Sequence, residues 1–342
     1  MNKQKNNTLE LLKLFASYMV VFIHVIFSGY IGVAVETLAR FAVPFFFLIS
    51  GFYSYGISVQ KIRIRIKKIL TLTVFAIISY TVFKVLLLLS NGGWNDVLEY
   101  FGNYADFFTL IKLFVFNVPV HLEYLWYLYA MIYVYAIFLF VTKYHISDKV
   151  IFTVSFSILI LHILSGEVCS VFGILLPGML IRNFAAIGIP FFATGLFVKK
   201  YQDKFFRVSN TLILLSIAIG VLVSIFSRYF FEKKEVYIGS LFVLFSLVCV
   251  FIKYSNIRYP KFLMALEGCS TYIYIFHDMI SKTIRLVYTA FGINMKSSMV
   301  LNNLHPIIVC LFSTVFAYLL IKILKSLQKH KNYVQLCKEQ SG

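Results

Sequence analysis

The chain of 342 residues is 60% hydrophobic and only 13% charged, against roughly 45–50% apolar residues in a soluble domain, so composition excludes a soluble globule and predicts a multi-span membrane protein. A formal net charge of +18 would suit a nucleic-acid partner, but the Lys and Arg residues fall between apolar runs, as a positive-inside topology requires, and no nucleic acid is expected. The cysteines, Cys169, Cys249, Cys269, Cys310 and Cys337, form no CxxC pair, so neither a disulfide framework nor a metal site is expected.

Met1 to Thr8 is polar and carries Lys3 and Lys5, which places the N-terminus in the cytoplasm. The stretch that follows, Leu9 to Tyr30, has the roughly 20 residues a helix needs to cross a bilayer. It lacks a small-residue cleavage site and reads as a retained helix. Within it lie Glu10, Lys13, Ser17 and His24. At about 100° per residue, Lys13 and His24 point within about 20° of each other, with Ser17 and Glu10 close by, so one polar stripe runs along an otherwise lipid-soluble helix. Ionisable groups at bilayer depth cost at least about 2.5–3.5 kcal/mol each and normally face a bundle interior or a hydrated cavity. Lys13 and His24 are separated by about 16 Å along the axis. A reactant gripped at Lys13 near the surface would extend its reacting end to His24.

A short outer turn with Gly29, Gly32 and Glu36 is expected next, then helix 2 over about Leu38–Ile57. Its exit, QKIRIRIKKIL, is the densest basic run, with Lys61, Arg63, Arg65, Lys67 and Lys68 on the cytoplasmic side. Helix 3 is expected over Ile69–Leu89, followed by an acidic, aromatic outer stretch with an interfacial or re-entrant segment at Phe107–Phe116. Helix 4 covers Tyr124–Val141 and helix 5 Val150–Leu164. The interrupted VFGILLPGMLIRN after it reads as a half-span or a re-entrant segment. Helix 6 (Phe184–Val198) leads to the basic KKYQDKFFR. Helices 7 and 8 (Thr211–Ser227, Val236–Ile252) form a hairpin around FEKKE. Helices 9 and 10 (Phe262–Ile280, His305–Leu324) close an all-α polytopic transmembrane bundle of about ten helices with both termini cytoplasmic. Residues 1–330 form one membrane domain and 331–342 a basic cytoplasmic tail.

Five motifs in this order carry a resemblance. Glu10, Lys13 and His24 follow the spacing acid, two residues, cation, ten residues, histidine. VPFFFLISGF (Val43–Phe52) is an aromatic run ending in Ser-Gly-Phe. Arg65 and Lys68 are basic residues three apart at the helix exit. LWYL (Leu125–Leu128) and EGCSTYIYIFH (Glu267–His277) complete the set. The sequence thereby resembles membrane-bound acyltransferase family 3, whose members mostly O-acylate surface sugars. The family's arginine is lysine at position 13, which keeps the charge and loses the planar fork.

The resemblance implies a multi-pass protein of a bacterial-type cell membrane, in contact with membrane lipid. Its acyl donor would be acyl-CoA, most often acetyl-CoA as co-substrate, and its acceptor a hydroxyl of a surface polysaccharide or lipid-linked glycan. Such transfer needs a base for the hydroxyl proton, and histidine suits that near neutral pH. His24 is the expected base, with Glu10 and Lys13 in the catalytic set. Lys13, Arg65, Lys68 and Ser50 are expected at the donor, Ser50 as an oxyanion donor, while Gly51 reads as close helix packing. His277, Trp126 and Tyr272 are expected at the acceptor, with orientation of His24 as the other role open to His277. His121 and Glu123 read as solvated loop residues near an acceptor entrance. The competing readings are a flippase or transporter of a lipid-linked sugar, which also needs polar stripes, and a non-catalytic family member.

Overall fold

A computed structural model describes residues 6–104, 106–119, 122–174, 176–231, 233–255, 257–294 and 298–340. Lys3, Lys5 and His121 lie outside these, as do the side chains of Glu123 and of the tail from 330 onward. The structure is 82% helical, with no strand among the described residues. In chain order the helices are α1 Asn7–His24, α2 Gly29–Ala39, α3 Ala42–Phe52, α4 Val59–Asn91, α5 Trp94–Gly102, α6 Phe107–Phe116, α7 Trp126–Lys143 and α8 Asp148–Val171. There follow α9 Gly178–Ile181, α10 Ile189–Lys200, α11 Gln202–Phe206, α12 Asn210–Phe230, α13 Ile238–Lys253, α14 Lys261–Ala265, α15 Cys269–Ala290 and α16 Met299–Gln340.

Among the described residues seven stretches are long and apolar enough to cross a membrane: Gly29–Phe52, Val59–Ser90, Trp126–Lys143, Asp148–Val171, Gly178–Lys200, Asn210–Phe230 and Met299–Lys329. They match seven of the ten expected helices. The other three correspond to α1, to α13 and to α14 with α15; α13 is apolar but shorter. In the most apolar windows of Asp148–Val171 and Val59–Ser90 only 12% and 17% of residues are buried. Outward apolar surface on that scale fits lipid and not water.

Several boundaries differ from the sequence reading. α1 stops at His24, where the Val25 N–H closes on the Val21 carbonyl, so the first helix does not run on to Tyr30. The expected outer turn is itself helical: α2 contains Gly32 and buries Glu36. Helix 2 is broken at Arg40 and Phe41 and ends at Phe52. α4 starts at Val59, so the basic run is helical and not a loop. VFGILLPGMLIRN resolves into α9 and a break at Arg182–Asn183. There the Asn183 Oδ1 accepts from the Ala185 and Ala186 N–H groups at 2.8 Å and opens a π turn, Phe184–Gly188, that flows into α10. Expected helix 9 is split at Gly268, whose φ of +79° suits glycine, and α15 continues to Ala290. Side-chain caps explain other starts: Asn6 for α1, Asp106 for α6, Ser147 for α8 and Ser209 for α12.

The chain divides into two compact units. One comprises residues 1–39 and 254–342, the other Arg40–Lys253. In the first, α1 packs on α2, α15 and α16 around Leu14, Val21, Val25, Cys269, Ile273 and Val309. The Tyr18 and Thr314 hydroxyls meet at 2.8 Å, and the Thr8 hydroxyl donates to the Tyr254 carbonyl at 2.5 Å. In the second, α3 lies against α10, α4 against α7 and α12 against α13. Glycines set the first contact. A Cβ on Gly51 would collide with the Phe192 backbone, and one on Gly195 with the Leu48 backbone, so the sequence reading of Gly51 as close packing holds. The same unit holds a buried Arg40 paired to Glu235 at 2.9 Å and ties Asp148 to Lys200 at 2.6 Å.

Candidate functional site

On α1 the expected stripe is present. Lys13 Nζ and Glu10 Oε1 form an ion pair at 2.5 Å, both side chains largely covered. Ser17 is fully buried, its hydroxyl donating to the Leu14 carbonyl at 2.7 Å. Buried Leu14 and Val21 lie to one side of the stripe and buried Ala16 and Val20 to the other. With all of these on a turn of about 100° per residue, the stripe occupies the protein-facing side of α1.

His24 is the last residue of α1 and is half-buried. Across from it stands His277 of α15, with ring centroids 5.3 Å apart and planes inclined by 30°. His277 is fully buried. Its Nδ1 lies 2.8 Å from the Tyr274 carbonyl. A carbonyl only accepts, so Nδ1 carries hydrogen, and the neutral ring has its lone pair on Nε2. The structure thus unites His24 and His277, two residues 253 positions apart in sequence, and leaves Lys13 about three turns and Glu10 about four turns below on the same helix.

Of the polar residues around His277, Ser281, Lys282, Arg285 and His305 are not singled out by sequence. Asp278, buried, pairs with Lys282 at 2.7 Å. One turn on, the Ser281 hydroxyl lies 3.1 Å from Nε2 of buried His305, to which Arg285 Nε also donates at 3.4 Å. The available signal is a helical repeat, His277, Ser281, Arg285, at i, i+4 and i+8. Tyr272, expected at the acceptor, packs half-buried against the apolar core of this unit.

The remaining expected residues belong to the other unit. Ser50 donates to the Phe46 carbonyl of its own helix at 2.9 Å and meets the Tyr127 hydroxyl. Trp126 is buried, its ring 6.1 Å from Phe47. Arg65 has intramolecular work. It donates from one amino nitrogen to the Tyr53 carbonyl at 2.7 Å and from the other to the Ser54 hydroxyl at 2.7 Å, with Tyr135 at 3.5 Å. It therefore closes the carbonyl end of α3. Lys68 is exposed one turn further, with Lys61, Arg63 and Lys67 at the surface of the same helix. These side chains are open to phosphate groups, whereas part of the Arg65 fork is engaged.

Arg65→Ala is accordingly expected to destabilise the protein by about 1.5–3 kcal/mol, the range for hydrogen bonds to a charged group. Arg65→Lys should recover part of that. Thermal unfolding in detergent checks it; a donor KM increase with unchanged unfolding would show Arg65 acting on donor alone.

No curated protein and no solved structure matches the chain. The family model of the acyltransferase domain matches residues 6–322, nearly the whole length. With the helical architecture and the seven candidate membrane spans already in place, this match establishes that the chain belongs to acyltransferase family 3, which includes membrane O-acyltransferases.

Proposed function

We propose that the protein O-acylates a carbohydrate, moving an acyl group, acetyl first among candidates, from acyl-CoA at the cytoplasmic face to a hydroxyl of a surface polysaccharide or a lipid-linked glycan precursor in a bacterial-type cell membrane. Both chain ends lie on the cytoplasmic side in this reading. The observation that carries it is the pairing of His24 and His277 at 5.3 Å, at the end of a protein-facing stripe that begins with the Glu10–Lys13 ion pair.

In this reading His24 takes the proton from the acceptor hydroxyl as the oxygen attacks the thioester carbonyl. Collapse of the tetrahedral intermediate breaks the carbon–sulfur bond, and the departing thiolate takes up the proton from His24, so the base is regenerated. His277, fixed by its bond to the Tyr274 carbonyl, orients the His24 ring and borders the acceptor. Lys13 is placed to meet the donor about 16 Å toward the N-terminal end of α1, with Glu10 offsetting the cost of its burial. Lys68 and its basic neighbours on α4 suit the phosphates of CoA.

Membranes containing the protein, incubated with acetyl-CoA labelled in the acetyl group, are expected to yield labelled glycan, and those with His24→Ala none. Label that appears equally in both removes His24 as base. No label in glycan from either, alongside protein-dependent movement of lipid-linked sugar across vesicles, replaces the enzyme with a transporter.

A further inference from the structure

Beyond His277, α15 carries a polar stripe that the reaction above does not use. Ser281, Arg285, Tyr288 and Gly292 follow His277 at intervals of three or four residues, hence along one side of the helix. The outer part of this stripe borders an open cavity of about 620 Å³, lined by Arg285, Tyr288, Thr289, Asn294 and Asn302 among others. Leu286 and Val287, on the other side of the same turns, are exposed apolar residues. Here α15 presents an apolar flank and a polar, cavity-lining flank.

Arg285 is held through one of its three nitrogens. Its Nε donates to His305 Nε2, and the buried His305 ring is held in turn by the Ser281 hydroxyl. Anchoring through Nε leaves the two amino nitrogens, the fork that grips carboxylate or phosphate in two places. Among the described residues no carboxylate lies within salt-bridge range of Arg285, and the nearest acid on its helix face, Asp278, is engaged by Lys282. The rest of the lining suits sugar. Tyr288 offers a ring face, and Asn302 offers an amide. Pro306 also deprives the Asn302 carbonyl of its usual i+4 N–H donor, leaving an acceptor for a hydroxyl.

We infer that this cavity is a subsite for an oxyanion, carboxylate or phosphate, on the carbohydrate acceptor, gripped by Arg285. The inference rests on the acceptor reading proposed above and narrows it to anionic glycans. Arg285 lies eight residues beyond His277, about 12 Å along the axis. The anion would therefore sit on a different sugar residue from the hydroxyl that is acylated, and Arg285 would act as a specificity-determining and positioning residue.

The test is direct binding to the full chain in lipid nanodiscs, by titration calorimetry at matched ionic strength. The probes are a neutral tetrasaccharide, a tetrasaccharide containing glucuronic acid, and a phosphorylated tetrasaccharide. At least one anionic probe is expected to bind about tenfold or more tightly than the neutral one, the loss expected from one charge-assisted pair. Arg285→Gln should bring it to the neutral affinity, and Arg285→Lys, which keeps the charge and loses the fork, should retain part of the preference, so that the pair separates lost charge from a disturbed fold. Asn302→Asp, which puts a carboxylate into the cavity that Arg285 lines, should weaken the anionic probes more than the neutral one. The stronger anionic probe identifies the source, a uronic carboxylate or a phosphate. Equal affinity for neutral and anionic probes, or unchanged affinity in Arg285→Gln, overturns the subsite. Because binding needs no donor, a protein that binds anionic glycan and transfers no acyl group defeats the proposed reaction and not the subsite. One that transfers label and shows no anion preference does the opposite.

Discussion

Replacing His24 by alanine is expected to lower acyl transfer by about 10²–10⁴-fold, the contribution of a positioned general base, with donor KM little changed. The expectation follows from place. His24 ends α1 on its protein-facing side, beside a second imidazole, whereas Lys13, proposed above to meet the donor, is three turns away. His277→Ala is expected to behave differently. It removes a fully buried ring and leaves the Tyr274 carbonyl without its side-chain donor, so stability should fall by about 1–3 kcal/mol, the cost of an unsatisfied buried polar group, along with turnover. His277→Gln, which still offers an N–H, should restore more of the stability than of the rate. Steady-state kinetics with varied acyl-CoA, beside thermal unfolding of each variant, separates the two histidines. A His24→Ala protein whose defect lies wholly in donor KM would move His24 from the chemical step to donor binding.

The second large effect is on folding. Gly51→Val and Gly195→Val are each expected to destabilise the second unit by about 3 kcal/mol or more, at or beyond the upper end of overpacking costs, and to remove most of the monodisperse protein in detergent. The obstacle on each side is backbone, Phe192 for Gly51 and Leu48 for Gly195, and backbone cannot swing aside as a side-chain tip can. The two helices would have to separate, disturbing their buried Phe45, Phe47, Phe191 and Phe192, two of which also pack on α7. Gly166 is the control. It sits within α8, and a methyl group added there would meet nothing within 4 Å, so Gly166→Ala should be neutral or stabilising by up to about 1 kcal/mol. Fluorescence-detected size exclusion and unfolding temperature check all three. Equal stability of Gly51→Val and the parent would mean that α3 and α10 do not approach as closely as described.

How far the sequence leads depends on which interactions are local. The stripe Glu10, Lys13, Ser17, His24 is legible because a helix repeats every 3.6 residues and these residues share one helix. The i,i+3 ion pair needs nothing else. Gly51 is legible as packing because Ser-Gly in an apolar helix leaves few other uses. The end of α1 at His24 is hidden, since the next residues, Val25 to Phe27, are as apolar as those before, and the first glycine comes only at position 29. α2 looks like a turn in sequence because Gly29, Gly32 and Glu36 resemble a loop when their tertiary burial is unknown. Arg65 looks like a donor ligand alone because motif spacing says nothing of Tyr53, Ser54 and Tyr135, the last of which lies 70 residues away. The meeting of His24 with His277, and of Arg285 with His305, depends on helix pairing that no spacing encodes.

The length of α4 has its own consequence. The stretch Val59–Ser90 has 32 residues, about 48 Å of helix at 1.5 Å each, against roughly 30 Å of hydrocarbon. Its basic opening turns, Val59 to Lys68, account for about 15 Å of the excess. If the remainder fills the hydrocarbon upright, those turns stand in the aqueous phase as a rigid helical ledge. Thickening the bilayer would then draw this ledge toward the headgroups, and with the donor received there as proposed above, its capture, more than the chemical step, should be the property that responds to acyl-chain length of the surrounding lipid.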